Sequence, residues 1–449
     1  MAVIYLFSGS LNQNMSLSRD ELLGCVDKLY TFRDLYIDEH PISHAGQKKK
    51  DVETKMLETL KLVEDNQSVI TNKAEYLMLR GKCLNVKSDY DSQAEELISK
   101  AVKLDPKLVE AWNILGECFW KKGDIDAAKN CFSGALQHSK NKVSLRNLSM
   151  VLRQFGNSRE EKLQHINESV VKAKDAISLD ISDGMSWFVL GNAYLSQFFG
   201  GTQSEQIIQQ CLKAYSQAEK DPIAKNNPDL HFNRSMCFLY QSEFMLALQG
   251  FSRAGVLDPA WDIPQAKVEM LRKYLSSVNS MLSTKCGLSG KAKLQKIVSS
   301  ISDSDLGPYG GGSYTSPLGK SVTLESKLTS DLTEGRNSGV VLLGKVIGCL
   351  SPDPSVAYTF IIVDSDQQCI AACLYNVATN YGLKSGDSVA IPEPYMMTVE
   401  VPAAPDSGDA ELGYKFLRIE TPMVLVVNGK KLGIEKQAPT MLKVTAQSE

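Results

Sequence analysis

Apolar residues recur with a helical period between positions 112 and 135, the most regular stretch of the chain. Two sets of them have the spacing i, i+3 or i+4, i+7 along the sequence: Trp112, Leu115 and Phe119, then Ala128, Phe132 and Ala135. Each set places its side chains on one side of a helix. The Lys-Lys-Gly-Asp run at 121–124 separates the sets. The pattern therefore predicts two helices joined by a short turn.

With Trp112 counted as place 4, these residues and Gly116 fall at places 4, 7, 8, 11, 20, 24 and 27 of a 34-residue unit. Those are the signature places of the tetratricopeptide repeat, which is a helix–turn–helix. The small side chains of Gly116 and Ala128 would let the two helices approach closely. We interpret this stretch as one well-formed unit of a repeat array.

The signature recurs on both sides of this unit, which predicts an α-solenoid of about six tetratricopeptide repeats. Residues 18–66 form a divergent N-terminal helical repeat or cap that starts with a capping box at Ser18 and Glu21. Residues 67–284 form the regular array, and a long helix over 264–283 would cap it.

Two repeats depart from the motif. The repeat centred on Arg146 lacks the aromatic start, although its length is right. In the repeat that starts at Trp187, the aromatic of the second helix is delayed to Tyr215. We therefore expect an inserted loop at 198–205.

After about position 339 the period changes to that of strands. Apolar, β-branched runs are separated by Pro, Gly, Asp and Asn, and they predict five strands: 340–347, 358–363, 369–374, 388–391 and 416–427. A short helix is expected at 376–382 and a loop at 398–413. The pattern resembles a small all-β OB-fold barrel over 320–435. An SH3-like barrel is the alternative.

The remaining segments are expected to lie outside the two folded parts. Residues 1–17 would be a disordered leader, 285–319 a basic and then Gly/Ser-rich linker, and 436–449 a disordered tail.

Composition narrows the class of protein. A net charge of −3, 43% hydrophobic residues and 22% charged residues are typical of a folded, soluble protein. The ten cysteines are scattered, which favours reduced thiols over a disulfide framework, and neither a metal site nor a cofactor is expected. The sequence contains no GxxxxGK[ST], GxSxG or HExxH motif, so we expect no enzyme. No segment has the length and apolar character of a membrane span.

The pairing of such an array with a C-terminal OB-fold resembles the Strap family of stress-responsive activators (tetratricopeptide repeat domain protein five). The resemblance also covers four short stretches: Leu-Val-Glu-Ala-Trp-Asn at 108–113, Asn-Lys-Val-Ser-Leu at 141–145, Asn-Pro-Asp-Leu-His at 227–231 and Gly-Asp-Ser-Val-Ala-Ile-Pro-Glu-Pro at 386–394. It implies a non-enzymatic adaptor of the nucleus and cytoplasm, without membrane association.

The resemblance implies two sets of partners. In the nucleus, the adaptor would join a histone acetyltransferase coactivator, with its stress-response cofactors, to the tumour-suppressor response. In the cytoplasm, it would bind the N-terminal peptide of nascent tubulin at the ribosome and trigger decay of tubulin messenger RNA. By the same resemblance, Arg153 and Asp229 would line the peptide groove. A basic stretch after the last repeat would contact the ribosome through Lys285, Lys291, Lys293 and Lys296.

Other groove candidates follow from the repeat itself, because the first helix of each repeat lines the concave face of a solenoid. The polar residues at those places are Asn113, Glu117, Lys121, Asn147, Asn192 and Asn233. This mixture suits a ligand with charges of both signs. For Arg153 alone, an ordinary salt bridge on a helix is the competing interpretation. Glu117 disfavours the carboxylate clamp by which some repeats bind chaperone C-termini.

A second hypothesis assigns nucleic-acid or chromatin binding to the OB-fold. Tyr358, Phe360 and Tyr375 would stack on bases, with Lys345 or Lys384 nearby. Residues 320–449 contain 11 Lys and Arg against 15 Asp and Glu, however, whereas single-strand binding relies on a positive groove. The competing interpretation is that these aromatic residues fill the barrel.

Overall fold

The structure, a computed structural model, describes residues 17–201, 203–288, 291–311, 313–315, 321–350, 356–403 and 410–438. Most of the predicted leader and tail lies outside the described residues. The described chain divides into two compact units. Unit 1 contains residues 17–230 and 256–261, and unit 2 contains residues 231–255 and 262–438.

Helices make up the first two thirds of the chain and pair into hairpins. The described residues contain fifteen α-helices: α1 Arg19–Asp34, α2 Tyr36–Glu39, α3 Lys48–Asp65, α4 Lys73–Asn85, α5 Ser92–Leu104, α6 Val109–Lys122, α7 Ile125–His138, α8 Lys142–Leu152, α9 Arg159–Leu179, α10 Gly184–Gly200, α11 Glu205–Ala218, α12 Pro228–Tyr240, α13 Phe244–Leu257, α14 Asp262–Ser283 and α15 Lys291–Val298. The pair α1/α3 and the five pairs from α4/α5 to α12/α13 confirm the predicted solenoid with α14 after it.

Glycine at place 8 determines how closely the two helices of a repeat pack. A Cβ atom added to Gly116 of α6 would lie 2.4 Å from the ring of Phe132 on α7. The same holds for Gly81 against Ile98 and for Gly191 against Tyr215, each at 2.5 Å. In all three repeats, the absence of a side chain at this glycine leaves room for a large side chain of the partner helix.

Helix ends follow local sequence. The predicted capping box is present at α1, where the Ser18 hydroxyl accepts from the backbone N–H of Glu21 and the Glu21 carboxylate accepts from the backbone N–H of Ser18. The predicted loop at 198–205 is only partly right. The helix α10 continues to Gly200, so part of the insertion lengthens the helix, and Phe198 is fully buried there. Burial of this apolar residue favours the added turn.

Strands form most of unit 2. The described residues contain twelve: β1 Ser313–Thr315, β2 Ser321–Thr323, β3 Glu325–Lys327, β4 Gly335–Arg336, β5 Val340–Cys349, β6 Tyr358–Val363, β7 Cys369–Leu374, β8 Ser388–Pro392, β9 Tyr395–Val401, β10 Leu412–Ile419, β11 Val426–Val427 and β12 Lys430–Lys431. β1 and β2 pair with each other, and the others form one sheet.

The main sheet has the strand order of an OB-fold. β5 pairs with β6 and β8, β6 pairs with β7, and β7 runs parallel to β10. Only Glu393 and Pro394 separate β8 from β9. This bent strand pairs with β5 through its first half and with β10 through its second half, which closes the barrel.

Three predictions in this region were wrong. The last long strand is β10, Leu412–Ile419, rather than 416–427. The predicted loop at 398–413 contains the second half of β9 and the start of β10. Pro392 and Pro394 resemble the end of a strand, but here they mark a bend. The expected helix at 376–382 is absent from those residues, which form turns and one isolated bridge.

The segment 285–319, predicted to be a linker, contains α15 and a 3₁₀ segment at Asp303–Gly311. Leu306 and Tyr309 of this segment pack with Val341 of β5 and Val426 of β11. Packing in unit 2 thus continues across the predicted limit at 320. Among the described residues, none of the helices combines the length and apolar character that a bilayer span requires.

Candidate functional site

The predicted groove residues lie on the first helices of successive repeats. Asn113, Glu117 and Lys121 belong to α6, Asn147 to α8, Asn192 to α10, and Asp229 and Asn233 to α12; Arg153 follows α8 as its C-cap. The structure brings two of them, Glu117 and Lys121, to one shared partner and places several others in contacts within the array.

Asn113 joins neighbouring first helices. Its side-chain oxygen accepts a hydrogen bond of 2.6 Å from the hydroxyl of Ser144 on α8. Both residues are buried. Because a buried polar group without a partner is costly, this bond is expected to fix the relative position of α6 and α8.

Lys121 and Glu117 meet around Asn85, the last residue of α4. The Lys121 ammonium donates to the backbone oxygens of Asn85 at 2.6 Å and Lys87 at 2.7 Å, and to the side-chain oxygen of Asn85 at 2.9 Å. The Asn85 amide in turn donates to the Glu117 carboxylate at 3.1 Å. Burial lowers the pKa of Lys121. Lys121 thus caps the carbonyl end of α4, a position that favours a cation.

Asn192 is also engaged within unit 1. The hydroxyl of Tyr215 donates to its side-chain oxygen at 2.7 Å, and only 1% of Asn192 is exposed. Asn233 is buried on α12, whereas Asn147 on α8 is half-buried.

Arg153 and Asp229 are both half-buried. Arg153 ends α8, and Asp229 lies in the first turn of α12, where its backbone N–H donates to the side chain of Asn227 at 2.9 Å. A carboxylate in the first turn is favoured by the helix dipole. These two residues bring opposite charges to first helices of the array.

Sequence reasoning missed a charged cluster between α8 and α10. Lys142 contacts Asp180 at 2.7 Å and Asp183 at 3.2 Å, and Arg146 contacts Asp183 at 3.2 Å. Burial by itself would raise the pKa of Asp183, but Arg146, Ser186 and Lys142 hold it below its ordinary value. Hydrogen bonds from Lys142 and Ser182 lower the pKa of Asp180 to about 2.

A signal for this cluster was present in the sequence. Arg146 stands one 34-residue period after Trp112, so a charged residue replaces the aromatic of place 4. Asp183 is the N-cap of α10 and accepts from the backbone N–H of Ser186. The ion pairs therefore replace aromatic packing where the repeat is degenerate.

The basic stretch lies in unit 2. Lys293 and Lys296 are exposed and lie one turn apart on α15, whereas the half-buried Lys285 donates to the backbone oxygen of Gln367 at 3.1 Å. The backbone of Lys291 starts α15, and its side chain lies outside the described residues. Of the lysines predicted to contact the ribosome, Lys293 and Lys296 are thus the two that form an exposed pair on one helix.

The three aromatic candidates of the barrel are used internally. Phe360 is fully buried, and the hydroxyl of Tyr358 accepts from the backbone N–H of Leu383 at 2.8 Å. Tyr375 is 9% exposed, and its hydroxyl is 2.6 Å from that of Ser242. Phe360 and Tyr358 thus pack in the barrel core, whereas Tyr375 packs on the outer face of the sheet with residues of α12–α14.

Neither lysine proposed beside them forms part of an open positive groove with those rings. The buried Lys345 pairs with Asp305 at 3.1 Å. Lys384 is exposed in a turn before β8, where its backbone N–H donates to Asp387.

Helices cover the outer face of β6, β7 and β10. The hydroxyl of Tyr274 on α14 lies 2.7 Å from that of Thr359 on β6 and 3.4 Å from the sulfur of Cys373 on β7. Phe244 of α13 packs against Phe416 of β10, with ring centroids 5.7 Å apart. In OB-folds that bind oligonucleotides, the second and third strands provide the binding face. Here β6 and β7 carry helices on that face.

Arg418 of β10 fastens the turn between α12 and α13. It donates to the backbone oxygen of Tyr240 at 2.6 Å and to the hydroxyl of Ser242 at 2.9 Å. Its guanidinium also lies 4.1 Å from the ring centroid of Tyr375, within the range of a cation–π interaction. Across the described residues, no group of three or more His, Cys, Asp and Glu side chains is arranged to hold a metal ion.

Comparison with known proteins gives consistent matches for both parts of the chain. Residues 323–441 match the model of the tetratricopeptide repeat protein 5 OB fold domain. Curated proteins called tetratricopeptide repeat protein 5 from Homo sapiens and Mus musculus are each 47% identical over 431 residues, covering 96% of this chain and 97% of theirs. A thermophilic TPR protein of Thermus thermophilus superposes with a TM-score of 0.37 at 15% identity, covering 44% of this chain and 98% of that one.

Proposed function

The chain belongs to the tetratricopeptide repeat protein 5 family, a family of protein-interaction adaptors, and from this we propose that its array binds the N-terminal peptide of nascent tubulin at the ribosome. Binding would lead to decay of the tubulin messenger RNA. The ligand has the order Met, Arg, Glu and then an apolar residue, so its side chains bring one charge of each sign beside the positive N-terminal amino group.

The observation that carries the proposal is the presence of Arg153 and Asp229, half-buried and of opposite charge, at the ends of α8 and α12. Arg153 complements the glutamate of the peptide, and Asp229 complements its arginine. Hydrogen bonds to charged groups contribute about 1.5–3 kcal/mol each. The other groove candidates support this role indirectly, since Asn113, Lys121 and Asn192 hold the first helices in place.

Exposed lysines support a contact with the ribosome. Lys293 and Lys296 present two positive charges on one side of α15. They would bind ribosomal RNA through its phosphates, and such binding weakens as salt rises.

The test is capture of ribosomes translating tubulin by the full chain, compared with direct binding of the free peptide. We expect Arg153→Glu to weaken peptide binding by roughly 10- to 100-fold, because it removes one charged hydrogen bond and adds repulsion. Arg159→Glu is the matched control, since Arg159 is exposed in the first turn of α9. It should bind as the wild type does.

A charge exchange makes this test more specific. A peptide in which arginine replaces the glutamate should bind Arg153→Glu better than the original peptide does. If Arg153→Glu captures the translating ribosomes at the wild-type level, the groove assignment is wrong.

The family resemblance also supports a nuclear role, in which the protein joins a histone acetyltransferase coactivator to the tumour-suppressor stress response. The array offers first helices from α4 to α12, whereas an extended four-residue peptide spans only about 14 Å. Surface therefore remains for a second protein partner. Coprecipitation of the coactivator with wild type and with Arg153→Glu tests whether the two roles use separate surfaces.

Nucleic-acid or chromatin binding by the barrel is the weaker alternative, because helices cover the face of β6 and β7. A single-strand affinity of the full chain that falls steeply with salt and is unchanged in Lys293→Glu/Lys296→Glu would favour it.

A further inference from the structure

The first hairpin of unit 1 contacts the turn that precedes α12. Asp38 of α2 and Lys225 of the 3₁₀ turn Ala224–Asn226 form an ion pair of 3.1 Å. The sequence separation of these two residues spans the repeats from α4 to α11. Within unit 1, whose last complete hairpin is α10/α11, the first hairpin therefore touches the segment that follows the last one.

Closure of the array changes how a ligand can reach the concave face. In an open solenoid, any extended segment can be laid into the groove from the side. When the ends touch, the first helices line a closed ring, and a polypeptide enters only by passing a free end through it. Arg153 and Asp229, which belong to unit 1, lie on the helices of this ring.

We propose that the Asp38–Lys225 pair closes unit 1 into a ring and so restricts its groove to the free end of a polypeptide. This inference rests on the proposed function, which it deepens by naming the class of ligand. A nascent chain satisfies the requirement, because its C-terminal end is held at the ribosome and only its N-terminus is free.

The Asp38–Lys225 ion pair is weak enough for the ring to open. The side chain of Asp38 is 34% exposed and that of Lys225 is 42% exposed. Exposed ion pairs contribute little and are screened by salt. The ring is therefore expected to open often enough for ligand exchange.

The first experiment tests the ring without any ligand. Asp38→Cys and Lys225→Cys are combined in the full chain, and cross-linking by a bis-maleimide of about 10 Å span is followed, because a Lys–Asp ion pair spans a longer distance between Cβ atoms than a disulfide does. We expect rapid cross-linking in the folded protein and none when Lys225→Cys is instead combined with Glu53→Cys, since Glu53 is an exposed residue further along on α3. Failure of the first pair to cross-link overturns the ring.

The second experiment tests selectivity with two probes. One is a labelled peptide that begins Met-Arg-Glu and an apolar residue; in the other, the same peptide follows a small folded domain. Wild type should bind the free-end probe roughly 3- to 5-fold more tightly than the fused probe, the selectivity that an exposed ion pair of about 0.6–1 kcal/mol can support. Asp38→Lys should increase binding of the fused probe and speed dissociation of the free-end probe by roughly 5-fold. The exchange Asp38→Lys/Lys225→Asp should restore the wild-type values.

The outcomes separate the two proposals. If Asp38→Lys leaves the fused probe unbound, recognition of the terminal amino group, and not the ring, selects the chain end, and the inference fails. If wild type binds neither probe, the proposed function fails, while the cross-link still decides whether the ring exists. The ring is supported if Asp38→Lys exchanges peptide faster than the wild type at low salt and if this difference disappears at high salt, where the ion pair is screened.

Discussion

The repeats of unit 1 and the last hairpin of unit 2 have the same helix–turn–helix design, but they are held by different contacts. In unit 1, polar side chains join helices of adjacent repeats, as Asn113 does with Ser144. In unit 2, α13 and α14 pack on strands of the barrel, as Phe244 does with Phe416. The Asn113–Ser144 contact joins residues about one repeat apart in the sequence. The Phe244–Phe416 contact joins residues that are much further apart.

This difference indicates what each region requires in order to fold. A repeat that contacts only its neighbours gains stability step by step along the array. A hairpin that shares a core with a distant barrel folds together with it. The end of the array would otherwise expose an apolar face, which solenoids cover with a cap.

The largest expected effect tests the shared core of unit 2. Phe244 is 6% exposed, so Phe244→Ala should lower the free energy of unfolding by about 3–5 kcal/mol. Hydrogen exchange should accelerate in β7 and β10 as well as in α13. The control is Tyr395→Ala on β9, where the ring is 45% exposed and the change should be within about 0.5 kcal/mol. Exchange confined to α13 would show that the hairpin and the barrel fold separately.

A smaller effect tests helix packing inside one repeat. Gly116→Ala adds a methyl group at the ring of Phe132, and overpacking of this kind costs about 1–3 kcal/mol. Gly24→Ala in α1 is the matched control, because no atom lies within 4 Å of the added group. There, alanine should stabilise the helix by about 0.5–1 kcal/mol. Thermal unfolding of both variants measures the contrast, and equal shifts would contradict the packing rule.

The smallest effect concerns the polar contact between repeats. Asn113→Ala leaves the Ser144 hydroxyl buried without this partner and should cost about 1–2 kcal/mol. In a double-mutant cycle with Ser144→Ala, the coupling free energy should be about 1 kcal/mol. Strictly additive losses would mean that this hydrogen bond does not hold the two repeats together.

Much of the fold could be predicted because it depends on local spacing. Trp112, Gly116 and Phe132 lie within one period, and their order alone predicts two helices and the side on which they meet. The bounds of β6 and β7 were also predicted correctly, because each is an apolar run that ends at turn residues. The strand β9 was missed, since Pro394 before it resembles a terminator.

The candidate site was predictable only in part. The repeat predicts which residues lie on first helices, but not whether their side chains face a ligand or a neighbour. Lys121 caps α4 and Asn192 bonds Tyr215, so both side chains contact neighbouring helices. The repeat period does not distinguish these cases, because the partners Asn85 and Tyr215 lie on other helices.

The sequence by itself determined the repeat period and the change from helix to strand, since each depends on residues close together in the chain. Only the tertiary structure decided that helices cover the face of β6 and β7, that Lys121 serves as a helix cap, and that Asp38 meets Lys225. Those contacts join residues that are far apart in sequence, and a periodic pattern carries no information about such distances.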